Sequence, residues 1–188
     1  MILKFILVCL PFIGVNMKNV ILFVFLSGLI TLLYALFLAY KVNRAPKGTP
    51  KMNEISLAIQ EGAGAFLKRQ YTTIIPIALL LVIIIYLAIG LETSVAFIIG
   101  VIGSALAGYI GMQVSVRANV KVAFAAKKGL KQALSLAFSG GAVTGMSLVG
   151  LGLIGLSFLY GFYGNLIPLI GFGFGASLIS LFARVGGG

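Results

Sequence analysis

The sequence has 188 residues, of which 61% are hydrophobic and 9% are charged, and its mean hydropathy is +1.17. Soluble domains carry about a quarter charged residues, so this composition excludes an ordinary soluble domain and predicts an integral membrane protein. The net charge of +11 does not indicate nucleic-acid binding, because the basic residues lie in short stretches between apolar runs, as in the cytoplasmic loops of polytopic proteins.

The residue types that most often carry catalysis or hold metal ions are scarce. There is no histidine, Cys9 is the single cysteine, and the only acidic residues are Glu54, Glu61 and Glu92. This excludes an intrachain disulfide, a Cys/His metal site and a histidine base. The glutamates are far apart and lie outside the apolar runs, so we expect neither a carboxylate dyad nor an all-carboxylate metal cluster from these residues.

Residues 1–19 are interpreted as an N-terminal extension or signal-like segment. Met1–Val15 is a short apolar stretch with Lys4 near its start. It fits the hydrophobic region of a signal peptide, an extension of the first span, or upstream sequence translated from the wrong start, with Met17 as the alternative start. These three interpretations stay open.

Five apolar runs predict an all-α, polytopic transmembrane helical bundle of about five spans. A helix of 21 uncharged residues extends about 31 Å, enough to cross a bilayer core. The predicted spans are Val20–Tyr40, Ile74–Ile89, Ser94–Val116, Leu134–Tyr160 and Leu166–Ala183.

The second span is predicted to continue an amphipathic helix, Met52–Thr73, without a break, and Pro76 is tolerable near the membrane entry. Proline and glycine at positions 46, 48 and 50 separate this helix from the first span. One of its faces is apolar and is formed by Ile55, Ile59, Gly62 and Phe66. Its polar residues Glu54, Gln60 and Glu61 lie off that face, and Glu61 is interpreted as solvated.

The third span follows a predicted tight turn, Gly90–Thr93, and carries small residues every four positions, which let helices approach closely in lipid. The two predicted rows are Gly100, Ser104, Gly108 and Gly103, Ala107, Gly111. Beyond this span the helix is expected to leave the membrane as VRANVKVAFAAKKGLKQAL. Its basic residues Arg117, Lys121 and Lys128 predict a stripe that faces water or anionic headgroups.

The chain closes with the glycine-rich fourth span, a short link, Gly161–Asn165, and the fifth span. Arg184 and Val185 follow the fifth span, and Gly186–Gly188 are expected to be flexible. Twelve of the fourteen lysines and arginines fall on one side of the predicted membrane, and Lys4 and Lys18 fall on the other. The positive-inside rule therefore predicts that the N-terminus lies outside and the C-terminal end in the cytoplasm.

Four segments resemble, in order and spacing, the N-terminal part of membrane-bound, ion-translocating inorganic pyrophosphatases. They are MNEISLAIQEGAGAFLKRQYTTI, GYIGMQVSVRANVKVAFAA, FSGGAVTGMSLVGLGLIG and SLISLFARVGGG. The resemblance covers residues from about 20 to 188, and RANV and RVGGG are its most specific parts. Residues 20–188 are accordingly interpreted as the truncated N-terminal part of a transmembrane pump domain.

The resemblance implies a homodimeric, multi-pass pump in the cell membrane of a prokaryote or an acidic vacuole-type membrane. Such a pump hydrolyses magnesium pyrophosphate on the cytoplasmic side and moves H⁺ or Na⁺ outward. Its partners would be pyrophosphate, the pumped ion and membrane lipid, with no nucleic acid. The resemblance implies that Mg²⁺ and pyrophosphate are held by a lysine and an aspartate-rich motif that follow the glycine triplet, beyond this chain, with K⁺ as a candidate second ion. It assigns one residue present here, Arg184, to the cluster that gates ion passage.

Two other classes of membrane protein are alternatives to the pump. A rotary-ring proteolipid requires a carboxylate in mid-membrane, and no predicted span has one. A non-enzymatic permease or channel subunit, or a membrane scaffold, fits the composition equally well and stays the alternative. A reading frame that encodes a lysine and several aspartates just past Gly188 would favour the pump.

Overall fold

The computed structural model describes residues 16–187, which form five α-helices and contain no β-strand. We number the helices α1 to α5 in chain order: Met17–Arg44, Pro50–Ala88, Leu91–Ala126, Leu130–Tyr163 and Ile167–Gly187. The first four are long and apolar enough to cross a membrane, and Ile167–Ala183 is a shorter apolar helix. The predicted all-α bundle of about five helices is confirmed, and the protein is an integral, multi-pass membrane protein.

The first helix begins earlier than the predicted span. The side chain of Asn16 caps it by accepting a hydrogen bond from the Lys18 backbone N–H at 3.2 Å. Residues 17–19, interpreted above as the end of the extension, are thus the first turn of α1, while Met1–Val15 lie outside the described residues. At the next junction Thr49 caps α2 and Pro50 occupies its first turn, as the breaker residues predict. The continuous passage of α2 through Pro76 is also confirmed.

Three predicted boundaries are wrong. The turn between α2 and α3 is shorter than Gly90–Thr93: Ile89 and Gly90, the latter at φ +131°, reverse the chain, and α3 begins at Leu91. The helix expected to continue through the basic segment ends at Ala126, because Gly129 adopts φ +144° and starts α4 at Leu130. The link before α5 is also shorter than predicted, since α4 runs to Tyr163.

Helix α3 is the centre of the bundle and contacts each of the other four helices. It packs most extensively against α4 and α5, while α1 packs against the outer side of α4. These contacts depend on small residues. A Cβ atom on Gly100 would overlap the Phe172 carbonyl of α5, and one on Gly111 would lie 2.6 Å from the Thr144 side chain of α4. The bundle is therefore assembled by close backbone approach.

The buried small residues of α3 do not follow either predicted row. Among the six residues of the two rows, the buried ones are Gly100, Ser104, Ala107 and Gly111, two from each row. Steps of four, three and four residues average close to the 3.6-residue helical repeat, whereas a row of strict four-residue steps drifts around the helix. The described residues leave the space beside Gly103 empty within 4 Å.

Helix α2 turns a different face toward the bundle than the sequence predicts. Its buried residues are Ser56, Leu67, Ile74, Ala78 and Ile85, which form one stripe along the helix. At 100° per residue this stripe lies about 110° from the apolar face of Ile55 and Ile59, whose side chains are 53% and 43% exposed. Because α2 is continuous, the packing of its membrane segment sets the rotation of its N-terminal part and carries Ser56 and Gln60 toward α3.

Candidate functional site

The most unusual side chain in the described structure is Lys121, one turn beyond the end of the predicted third span. It is 3% exposed, and its Nζ donates hydrogen bonds of 2.7 Å to the carbonyl oxygens of both Val42 and Asn43. These carbonyls belong to the last turn of α1, where carbonyls lack helical partners and a cation is favoured. The predicted solvated stripe is therefore wrong at Lys121, which caps α1.

The sequence places Lys121 there through the packing of the preceding turn. Val42 and Leu38 of α1 form a buried cluster with Val114 and Ala118 of α3 and with Val143 of α4. This cluster draws the end of α1 onto α3, so the next turn of α3 brings the lysine against the open carbonyls.

The ammonium of Lys121 lies in a strongly positive environment. Burial lowers its pKa below the ordinary lysine value, and the neighbouring cations Lys47 and Arg117 lower it further. The three glutamates lie elsewhere: Glu54 pairs with Lys51 at 2.9 Å, Glu61 is exposed, and Glu92 is in the first turn of α3 at the other end of the bundle. No carboxylate of the described residues is among the side chains that line this region.

A polar cavity of about 430 Å³ opens beside Lys121, between the end of α1, the start of α2 and α3. We call it the cationic cavity. Its lining residues are Asn43, Lys47, Asn53, Ser56, Leu57, Gln60, Arg117, Val120 and Lys121. Ser56 is buried, and the Gln60 Nε2 donates to its Oγ and its carbonyl at 3.1 and 3.2 Å. The cavity thus combines three cations with amide and hydroxyl groups.

Sequence reasoning missed the polar residues of this cavity. Gln60 was assigned to the polar side of α2, away from the bundle, and Ser56 was not singled out. The available signal was their angular position, since both lie on the stripe that continues through Leu67 and Ile74. Lys128, assigned to the same stripe as Lys121, lies instead in the exposed turn after α3, with its Nζ 5.4 Å from the centre of the Phe124 ring.

Arg184, the one residue predicted to take part in ion gating, lies in the last turns of α5. The expected flexible tail is wrong for Gly186 and Gly187, because α5 continues to Gly187; Gly188 and the Arg184 side chain lie outside the described part. Helices α3 and α5 run in the same direction, and Gly175 lies against Phe97 and Val101. Arg184 lies nine residues after Gly175, so it is level with the residues of α3 that lie nine positions after Phe97 and Val101, which are residues 106–110. On α3 this level lies within the predicted third span, and on α2 it lies near Tyr71, which donates to the Ala105 carbonyl just before the predicted second span begins.

Arg184 and Lys121 do not form one site. The level of the Arg184 backbone, at residues 106–110 of α3, lies 11 to 15 residues before Lys121, which corresponds to about 16–22 Å along the helix. Nor do residues 16–187 fit a Mg²⁺ site, because no three carboxylate, histidine or cysteine side chains among them come together. The described part thus contains two separate features: the end of α5, which carries Arg184, and the cationic cavity further along α3.

Comparison with known proteins identifies the family. Residues 29–188 match the family described as inorganic H⁺ pyrophosphatase. A K⁺-insensitive pyrophosphate-energized proton pump of Methanosarcina mazei is 52% identical over 165 residues, which are 87% of this chain and 25% of that protein. A second such pump, from Moorella thermoacetica, is 46% identical and covers 86% of this chain and 25% of that protein.

A third relative, a putative K⁺-stimulated pyrophosphate-energized sodium pump of Clostridium tetani, is 43% identical over 92% of this chain and 26% of its own length. The chain thus spans about a quarter of the length of the curated relatives it matches. The resemblance predicted from the four sequence segments is confirmed. Because the match covers most of its length, this chain belongs to the inorganic H⁺ pyrophosphatase family.

Proposed function

We propose that this chain is the N-terminal five-helix part of a pyrophosphate-energised ion pump. The observation that carries the proposal is the family match over residues 29–188, on a five-helix membrane bundle. Proton pumps and a putative sodium pump are both among the relatives, so the pumped ion is proposed only as H⁺ or Na⁺. Within the pump this part serves as membrane scaffold and contributes one residue to ion passage.

That residue is Arg184. A guanidinium at the depth of a membrane span is expensive to bury in lipid, and such groups face the protein interior and line ion pathways. The register of α5 against α3 supports this assignment, because it sets the Arg184 backbone level with residues 106–110 of α3. We propose that Arg184 controls passage of the ion between the hydrolytic site and the outer side.

Hydrolysis of pyrophosphate falls to residues outside this chain. The described residues form no Mg²⁺ site, so we propose that the Mg²⁺ ions, and K⁺ where it acts, are held by segments that follow Gly188 in the full protein. We further propose that the protein is a homodimer, with its N-terminus outside and its hydrolytic side in the cytoplasm. The orientation is supported by the charge distribution of the sequence.

The test uses the full-length gene product in inverted membrane vesicles. Addition of magnesium pyrophosphate should release phosphate and drive uptake of H⁺ or Na⁺. The variant Arg184→Ala should lose at least tenfold in ion uptake, and the matched variant Arg69→Ala, which removes an exposed arginine of α2, should retain it. Absence of both phosphate release and uptake in the wild type would move a permease or channel subunit ahead of the pump. Normal uptake by Arg184→Ala would remove the gating role alone.

A further inference from the structure

We propose that the cationic cavity binds a phosphate-bearing anion, at a level of the bundle different from that of the Arg184 backbone. The cavity brings Lys47, Arg117 and Lys121 to one volume of about 430 Å³ and surrounds them with side-chain amides and a hydroxyl. The proposal does not rest on the pump function, since it uses only the geometry of α1, α2 and α3.

The charge balance of the cavity indicates an anionic occupant. Three cations converge, and no carboxylate of residues 16–187 lines the cavity with them. The exposed Lys47 and Arg117 can be screened by water and salt, but Lys121 is 3% exposed and is held in place by two carbonyl oxygens. Burying cations without a counter-charge is unfavourable, and a bound anion removes that cost.

The remaining donors suit a phosphoryl group. Lys121 has three ammonium hydrogens, and two carbonyls occupy two of them, which leaves one for a further acceptor. The Arg117 guanidinium offers a planar fork that matches two oxygens of a phosphate. Asn43 and Asn53 contribute amide hydrogens at the rim. A tetrahedral anion with several acceptor oxygens can use all of these donors at once.

The position of the cavity indicates where such an anion comes from. Arg117 is the first residue after the predicted third span, so the α3 wall of the cavity begins where that span ends, and its α2 wall belongs to the amphipathic segment that precedes the second span. A basic pocket at this depth is the arrangement that binds the headgroup of an anionic lipid. Free phosphate has the same chemistry, so the experiment separates the two sources.

The test uses the full-length protein purified in neutral detergent and measures ligand binding by native mass spectrometry and thermal stabilisation. The probes are phosphatidylglycerol, phosphatidylcholine and inorganic phosphate. The variants are Arg117→Gln and Lys47→Gln, whose side chains are exposed and whose loss leaves the fold intact. The control is Lys68→Gln, which removes an exposed lysine of α2 that does not line the cavity.

We expect phosphatidylglycerol to bind in preference to phosphatidylcholine, with binding reduced roughly fivefold by each cavity substitution and unchanged by Lys68→Gln. The same pattern with inorganic phosphate, and not with the lipid, identifies a soluble anion as the occupant of the site. Equal losses in all three variants would mean general attraction to a basic surface and would overturn the proposal. Binding of neither phosphatidylglycerol nor inorganic phosphate would overturn it as well.

Discussion

The contact between α3 and α5 can be tested by adding one methyl group to Gly175. This glycine lies against the backbone of α3, and a Cβ there would overlap the Phe97 carbonyl oxygen and lie 3.1 Å from the Val101 nitrogen. Backbone atoms cannot rotate aside as a side-chain end can. The substitution Gly175→Ala therefore has to push the two helices apart along their whole contact.

The expected cost follows from measured overpacking, which destabilises by about 1–3 kcal/mol. Alanine also favours the helix over glycine by up to about 1 kcal/mol, and this gain partly hides the cost. Gly173→Ala controls for it, because Gly173 lies in the same helix and no atom of the described residues is within 4 Å of its added Cβ. The difference between the two variants isolates the contact with α3.

The measurement is thermal unfolding of the purified protein in detergent, followed by the fraction that stays monodisperse in size-exclusion chromatography. We expect Gly175→Ala to lower the midpoint by roughly 2–10 °C relative to Gly173→Ala. The reciprocal pair, Gly100→Ala with Gly103→Ala as control, should behave in the same way from the α3 side. Equal midpoints for Gly175→Ala and Gly173→Ala would refute the assignment of this contact.

Four further predictions concern Lys121, Tyr71 and the orientation of the bundle. Lys121→Met leaves the Asn43 carbonyl without its lysine donor and the Val42 carbonyl with only the Ala45 N–H, and it should destabilise by about 1–3 kcal/mol near neutral pH, against no change for the exposed Lys128→Met. The pKa of Lys121 is lower in the folded than in the unfolded protein, so the unfolded chain binds more protons at pH values between these two pKa values. The stability of the wild type relative to Lys121→Met should therefore rise with pH across this window. A relative stability that falls with pH would contradict the direction of the pKa shift. Tyr71→Phe removes the 2.8 Å hydrogen bond to the Ala105 carbonyl and should cost about 0.5–1.5 kcal/mol in unfolding measurements, whereas Tyr86→Phe, on an exposed side chain, should cost nothing. The orientation is tested by labelling introduced cysteines in intact cells. The cysteine of Lys128→Cys should react only with a thiol reagent that crosses the membrane, whereas that of Glu92→Cys should also react with a reagent that does not cross it. The opposite pattern would reverse the proposed orientation.

Much of the fold could be read from composition because the bilayer imposes it. An apolar run of some twenty residues has to be helical in lipid, since its backbone groups have no other partners there. The spans were therefore predictable, and their ends were not. Helix ends depend on single backbone conformations, such as those of Gly90 and Gly129, and a glycine in the sequence does not reveal which conformation it adopts.

The candidate site residues also differ in how much of their role could be predicted from the sequence. The family resemblance singled out Arg184, but its depth follows only from the contact of Gly175 with α3, because the distance of a residue from the membrane surface depends on how two helices are aligned. Lys121 looked like one more lysine in a basic segment, and neither its burial nor its carbonyl partners have a signal in the local sequence.

The sequence by itself therefore determined the class of protein, the number of helices and the family, because hydrophobic length and a few specific motifs are local properties of the chain. The tertiary structure alone decided which face of each helix meets the bundle. In α2 the rotation is set by the membrane segment, where Ile74, Ala78 and Ile85 are buried. Because the helix is continuous, the same rotation places Ser56 and Gln60 on the side that faces the bundle. The cationic cavity exists because three separate helices, each rotated by its own packing, present polar residues to the same volume.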